Sequence, residues 1–210
     1  MNKFFRWWGG GKYAAYVGAT GADDKKVNWA GEMQGDPLPS LHQWKAPLLR
    51  QYLGEGPVLR KPRKIGDAPS CAPTNLVSPR ASRELEDIFS RHADLYPVQL
   101  EDAPGETYFM VVCREHVGWD CLGKGSILLK HPLEVAQHIP AAQRLDGAVV
   151  YAIKEWHFID ENLQDRDLFV LPNSEVAYFV SERFVERVKA AKLKGFRFDS
   201  VYLDPNPIVT

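Results

Sequence analysis

What most constrains this chain is a series of short β-rich runs broken twice by a serine-capped amphipathic helix. The first helix opens at Ser78-Pro79 and continues through RASRELEDIFSRH. Ser78 offers a side-chain oxygen to an orphan backbone N–H, and Pro79 suits the first helical position. Ala81, Leu85, Ile88, Phe89 and His92 then share one face at helical spacing, with Glu84, Glu86 and Asp87 outside it. The second helix lies in VSERFVERVKAAKLKG. Ser181 is its expected cap, Phe184, Val185, Val188 and Ala191 its apolar stripe, and Gly195 its expected C′ residue. Lys189, Lys192 and Lys194 sit near the negative end of its dipole. The two openings echo each other as Val77-Ser78-x-Arg80 and Val180-Ser181-x-Arg183. Ordinary capping accounts for both, with a repeated helix–strand unit as the alternative. Neither reading makes these serines nucleophiles.

The strand signals surround these helices. LYPVQL at 95–100 and TYFMVVC at 107–113 flank Pro104-Gly105 and read as a hairpin, with Pro97 suggesting an edge or a strand start. SILLK at 126–130 and AVVYAI at 148–153 are further strands. DLFVLP at 167–172 and VAYFV at 176–180 flank the turn Pro172-Asn173-Ser174, and FRFDSVYL closes the pattern. Residues 1–40 show only one strand-like piece, YAAYV at 13–17, and residues 41–53 suggest a short helix started by Pro47. Pro57, Pro62, Pro69 and Pro73 then mark an extended arm. The expected class is α+β, a mostly antiparallel sheet with a few capped helices over 76–210. An irregular, loosely structured N-terminal region of residues 1–75 precedes it.

Composition removes several classes. Of 210 residues, 45% are apolar and 25% charged, enough apolar surface for a core and unlike a disordered chain. Lys and Arg total 26 against 27 Asp and Glu, a net of −1, so no global field attracts nucleic acid or an anionic membrane. Three cysteines, Cys71, Cys113 and Cys121, do not make a disulfide scaffold and read as reduced thiols. The opening MNKFFRWWGGGK lacks the apolar stretch of a secretory signal, and no apolar run approaches the ~18 residues that cross a bilayer. The expectation is a cytoplasmic protein with no membrane segment.

Few segments carry chemistry. Residues 118–126, GWDCLGKGS, approach a phosphate-binding loop, which needs Ser or Thr directly after the lysine. Gly125 stands there instead, and Trp119 and Asp120 would crowd or repel a phosphate, so a turn between strands is preferred. Cys113 and His116 have C-x-x-H spacing, with Cys121 nearby. A structural zinc site needs ligands in close pairs, and His131 and His138 do not form the second pair. No nucleophile elbow or zinc-protease signature is present, so no catalytic, cofactor-binding or metal residue is assigned. The basic run Arg60-Lys61-Pro62-Arg63-Lys64, near Trp44 and Tyr52, has residue types that touch RNA, but its electrostatic footprint is thin. The acidic run Asp160-Glu161-x-x-x-Asp165-Arg166-Asp167 follows Glu155, Trp156 and His157. Such carboxylates serve acid–base work, bind Mg²⁺, face a basic partner or, most commonly, line a solvated loop.

From Ser78 onward the chain resembles a bacterial immunity-protein family of polymorphic toxin systems, first catalogued as a domain of unknown function. The resemblance rests on LVSPRASRELEDIF, LYPVQL, ETYFMVVCREHVGWDCLGKGS and LFVLPNSEVAYFVSERFVERVKAAKLKGFRFDSV in that order. The family's pattern falls on Asp120, Ser126, Phe169, Ser181, Gly195, Phe196 and Phe198, within about residues 76–203. Cys121 to Lys124 depart from it, and the first 75 residues match only weakly, at Trp44-x-x-Pro47 and Gly66-Asp67. The resemblance implies a protein without catalysis or cofactor. It would bind a cognate toxin made by the same cell and encoded next to it, as in type VI secretion, and block it. Toxins acting on nucleic acid are often basic, so an acidic face is the expected contact. Its residues are Glu155, Trp156, Asp160, Glu161, Asp165 and Asp167, with Trp119 and Asp120 as a second patch. The competing reading is a nucleic-acid-binding or regulatory module using the basic run. A small hydrolase using the acidic run with His157 ranks below it.

Overall fold

Two β-rich runs around the Pro104-Gly105 turn build the central hairpin of the fold. The computed structural model describes residues 3–10, 12–23, 25, 40–53, 61–71, 74–123, 126–131, 144–145, 148–171 and 178–203. The early strands are β1 (Phe4–Trp8), β2 (Tyr16–Gly18), β3 (Leu48–Gln51), β4 (Ser70–Cys71) and β5 (Thr74–Val77). Two short helices follow, α1 (Pro79–Glu84) and α2 (Glu86–His92), then β6 (Ala93–Leu100) and β7 (Thr107–Cys113). β6 and β7 pair antiparallel from Ala93↔Cys113 to Gln99↔Thr107, and Gly105 takes the positive φ of 96° in their connection. They lie at the centre of a six-stranded sheet of order β2-β3-β6-β7-β5-β4.

The later elements are β8 (Ile127–His131), β9 (Arg144–Leu145), β10 (Ala148–Glu155), β11 (His157–Phe158), β12 (Leu168–Val170) and β13 (Tyr178–Ser181). After them come α3 (Glu182–Ala190), β14 (Arg197–Ser200) and β15 (Tyr202–Leu203). A four-stranded sheet runs β12-β13-β1-β14, with the chain's first strand between two of its last. The remaining strands form a β8-β10-β9 sheet and a parallel β11-β15 pair. The class is α+β with mostly antiparallel pairing, as expected; β3–β6 and β11–β15 are the parallel pairs among these strands. The turn expected at Pro172-Asn173-Ser174 lies outside the described residues, as do Arg60 and His138.

Three apolar clusters hold the sheets. α1, α2 and α3 place Ala81, Leu85, Ile88, Phe89, Phe184, Val185 and Val188 against Val77, Val111 and Cys113 of one sheet and Trp7, Tyr178 and Val180 of the other. The far face of the six-stranded sheet buries Tyr16, Leu49, Leu76, Val98 and Met110. The far face of the four-stranded sheet buries Phe4, Phe169 and Phe179 with Val117, Trp119, Leu122, Phe158 and Leu163. Fully burying each such large side chain stabilises by about 1.5–3 kcal/mol.

Four local expectations change. The expected helix at Pro47 is the strand β3: Pro47 O accepts from Gln99 N at 3.0 Å and Leu49 O from Glu101 N at 2.8 Å. Its burial has the strand period, with Leu49 buried and Leu48 exposed. The helix after Ser78 breaks at Leu85 (φ −115°, ψ 17°) into α1 and α2. Pro97 sits inside β6, not at its start, on the part of the strand that β3 does not yet pair. The carbonyl opposite its missing N–H side accepts from Trp44 Nε1 at 2.8 Å, so residue 97 points its backbone groups away from β7 and no ladder bond is lost. The C′ residue of α3 is Lys192 (φ 52°), not Gly195: Lys192 N donates to Lys189 O and Leu193 N to Val188 O, a Schellman closure. Gly195 (φ 92°) instead lets Ala68 approach, since a Cβ there would lie 2.8 Å from Ala68 O.

Candidate functional site

The two acidic patches expected separately are one structural unit. Trp119–Cys121 and Asp160–Leu163 each form a single helical turn, and backbone bonds tie them together. Ile159 N donates to Cys121 O at 2.9 Å, Gly123 N to His157 O at 2.7 Å, and Asn162 Nδ2 to Asp120 O at 2.8 Å. The apolar residues of both turns decide this arrangement. Trp119, Cys121, Leu122, Phe158 and Leu163 sink into the cluster beneath the four-stranded sheet, which turns Asp120 and Glu161 outward to solvent. Asp165 is also exposed and holds a left-handed φ of 64°, which reverses the chain toward β12. Gly118 admits the tight approach of Asp120 Oδ1, which a Cβ would meet at 2.6 Å.

The other expected contact residues differ in setting. Trp156 is half-buried, its ring 4.6 Å from that of Phe179 and 5.8 Å from the Arg6 guanidinium. Glu155 ends β10 and Asp160 opens the second turn, so both adjoin the unit in the chain. Trp119 is 9% exposed, and its indole Nε1 has no hydrogen-bond partner among the described residues. It belongs to the core more than to a contact face. Asp167 is 7% exposed, which corrects its place in a solvated acidic face. Its Oδ1 accepts from Ser181 Oγ at 2.5 Å and its Oδ2 from Arg183 at 2.7 Å.

Asp167 is half of a device used twice. At the first helix, Ser78 Oγ accepts from Ala81 N and donates to Asp67 Oδ1, while Ser78 N donates to Asp67 O. At the second, Ser181 Oγ accepts from Phe184 N and donates to Asp167 Oδ1, while Ser181 N donates to Asp167 O. Both serines have nearly the same dihedrals, φ −71°, ψ 164° and φ −72°, ψ 165°. Arg80 approaches Asp67 at 3.9 Å, as Arg183 approaches Asp167. The repeated Val-Ser-x-Arg thus marks a cap locked by an upstream aspartate. Spacing alone missed the aspartates, because one lies 11 residues before its serine and the other 14.

The remaining candidates serve the interior. Cys71, Cys113 and Cys121 are free and buried. Burial pushes the Cys113 thiol up to about 12 and raises that of Cys121 as well, so neither offers a thiolate near neutral pH. His92 is buried and held neutral by that burial, its Nε2 accepting from Asp167 N at 3.4 Å and its Nδ1 3.8 Å from Glu115. Glu115 in turn pairs with Arg166. Among the described residues no group of three or more His, Cys, Asp or Glu gathers to hold a metal ion. Likewise no helix there is long and apolar enough to cross a membrane. Lys61 to Lys64 of the basic run are exposed, with Arg63 tied to Gln51 through backbone bonds of 2.9 Å.

Comparison with known proteins bears on this arrangement directly. A family model, that of the Immunity protein family (Imm11), matches residues 36–202. The match spans most of the chain and takes in both aspartate-locked caps and the acidic unit, so the chain belongs to that family. No curated protein sequence matches it.

Proposed function

From membership of an immunity family, we propose that this protein binds a toxin made by the same cell and neutralises it as a stoichiometric inhibitor. The observation that carries the reading is the family match over residues 36–202. On this reading the protein acts in the cytoplasm within a polymorphic toxin system, of the kind delivered by type VI secretion, and is not an enzyme. A blocking surface must be preorganised, because ordering flexible side chains on binding costs affinity. The unit of Asp120, Glu161 and Asp165 supports that requirement: its backbone is tied across two turns and seated on buried aromatics. Asp160, Glu155 and Trp156 adjoin the same unit in the chain and join the contact in this reading. Its charge suits a basic toxin, where it sets on-rate and specificity more than affinity.

Co-expression with the product of the adjacent gene tests the proposal. Growth should be arrested by that product alone and restored with this protein present. A product that is harmless, or remains toxic in its presence, refutes the reading. Changing Asp120 and Glu161 together to lysine should slow association about tenfold at low salt. An unchanged on-rate moves the contact elsewhere.

A further inference from the structure

We infer that the cleft between the Lys64–Asp67 segment and α1 seats a carboxylate-rich segment of the partner protein; the identity of that partner rests on the immunity reading. The cleft has a volume of about 610 Å³ and opens to solvent. Four cations line it: Lys64, Arg80, Arg83 and Lys194. All four are exposed, and among the described residues no carboxylate lies within ion-pair distance of Lys64, Arg83 or Lys194. Arg80 is held by Asp67 and by the carbonyl of Ala191.

Two carboxylates share the lining, Asp67 and Glu106. Asp67 is already committed, with Oδ1 accepting from Ser78 Oγ and Oδ2 from Lys194 N, both at 2.8 Å. The balance of available charge is therefore positive. Tyr108 supplies one further donor to the cleft. It lines the cleft, is 5% exposed, and its hydroxyl has no hydrogen-bond partner among the described residues. Burial and the nearby Glu106, Asp67 and Asp102 push that phenol up to about 12, so it remains a donor at neutral pH. An incoming carboxylate accepts from its hydroxyl in place of solvent.

The arrangement of donors favours carboxylates along a chain over a single phosphate. Phosphate sites converge backbone N–H groups on one point. Here the Ala81 and Lys194 amides are already taken by Ser78 and Asp67. The donors left are long cationic side chains from three separate stretches around 64, 80–83 and 194, plus one phenol. Donors spread over separate stretches suit several carboxylates better than one converging anion.

The test uses the full chain and fluorescein-labelled hexaglutamate, read by fluorescence anisotropy at low ionic strength. Saturable binding is expected. Lys64→Glu with Arg83→Glu should weaken it at least about tenfold, with circular dichroism confirming an unchanged fold. Tyr108→Phe, which keeps the ring, should weaken it about fivefold. Sodium phosphate should displace the peptide no better than sodium chloride at matched ionic strength. Absence of saturable binding, binding unchanged in the double variant, or specific displacement by phosphate each overturns the inference; the last assigns the cleft to a small anion. Because the peptide is read on the isolated protein, its result stands apart from toxin protection. Loss of protection with intact peptide binding would count against the immunity reading alone. Full protection by the double variant would overturn the cleft as a docking site.

Discussion

Replacing Asp167 by alanine separates an internal lock from a contact residue, and the structure sets the size of the effect. The carboxylate is 7% exposed and accepts from Ser181 Oγ at 2.5 Å and Arg183 at 2.7 Å. A hydrogen bond to a charged group contributes about 1.5–3 kcal/mol net, and the buried Ser181 donor loses its partner outright. The arginine's share is smaller, at or below about 1 kcal/mol, because its side chain is 45% exposed and it keeps Asp87. The sum is about 1.5–4 kcal/mol. For a chain of this size 1 kcal/mol moves the melting temperature by about 2–4 °C, so Asp167→Ala should melt about 3–16 °C lower. Far-UV circular dichroism with heating, repeated as a urea titration, reads this. Asp120→Ala and Glu161→Ala, both exposed, should stay within about 0.5 kcal/mol of the parent. In a Ser181→Ala background the Asp167 substitution should cost less, the mark of a coupled pair. A melt within about 2 °C of the parent, together with lost toxin binding, would refute the lock and return Asp167 to the contact surface.

Other substitutions test the local geometry. Lys192→Gly relieves a left-handed φ of 52° and should stabilise by about 0.4–1 kcal/mol, whereas Gly195→Ala meets both φ 92° and Ala68 O and should destabilise by more than about 1 kcal/mol. Urea midpoints moving the opposite way would contradict the Schellman assignment. The buried thiols of Cys113 and Cys121, raised well above their ordinary value, should resist a disulfide reagent at pH 8 until the protein unfolds. Labelling faster than unfolding would show that they are open. His92 has a lowered folded value, so the unfolded chain takes up its proton first as pH falls. Its contribution is complete above the ordinary value of about 6.5 and diminishes below it, so the stability difference between parent and His92→Asn should shrink from pH 7.5 to 5.5. A constant difference would mean that His92 is not held neutral.

Local signals were read well where the physics is local. Ser78 and Ser181 cap their helices because a cap needs one oxygen at one position. The hairpin β6–β7 follows from two β-rich runs and a Pro-Gly turn. The same reasoning failed at residues 41–53, where Leu41, Leu48 and Tyr52 suggest a helical face yet are exposed. There β3 has a parallel partner 51 residues further along the chain, Leu48 opposite Gln99, and no local period encodes that pairing. β1 is similar, since Phe4–Trp8 lies between β13 and β14 at the opposite end of the chain. A strand completed only by distant sequence looks irregular when read alone. At the acidic site the charges were visible, but burial was not. Asp120 and Asp167 look alike in sequence, and only the fold turns one to solvent and the other onto a serine.

The repeated Val-Ser-x-Arg also explains which charges remain for a partner. Arg80, just inside α1, bonds the Ala191 carbonyl at the end of α3, and Arg187 of α3 bonds the Glu84 carbonyl at the end of α1 at 2.5 Å. Each helix therefore closes the other's C-terminal carbonyls with a cation, which the helix dipole favours. Arg183 and Arg187 converge on Asp87, so α2 is drawn into the same network. These charges orient three short helices that are individually too short to be stable. Among the exposed charges, Lys64, Arg83 and Lys194 gather around one cleft, and Asp120, Glu161 and Asp165 lie on the turns. A net charge of −1 conceals this separation. In the proposed complex, patches of opposite sign would fix the orientation of the toxin, because a partner rotated away from register meets like charge, and that is a source of specificity that area alone cannot supply.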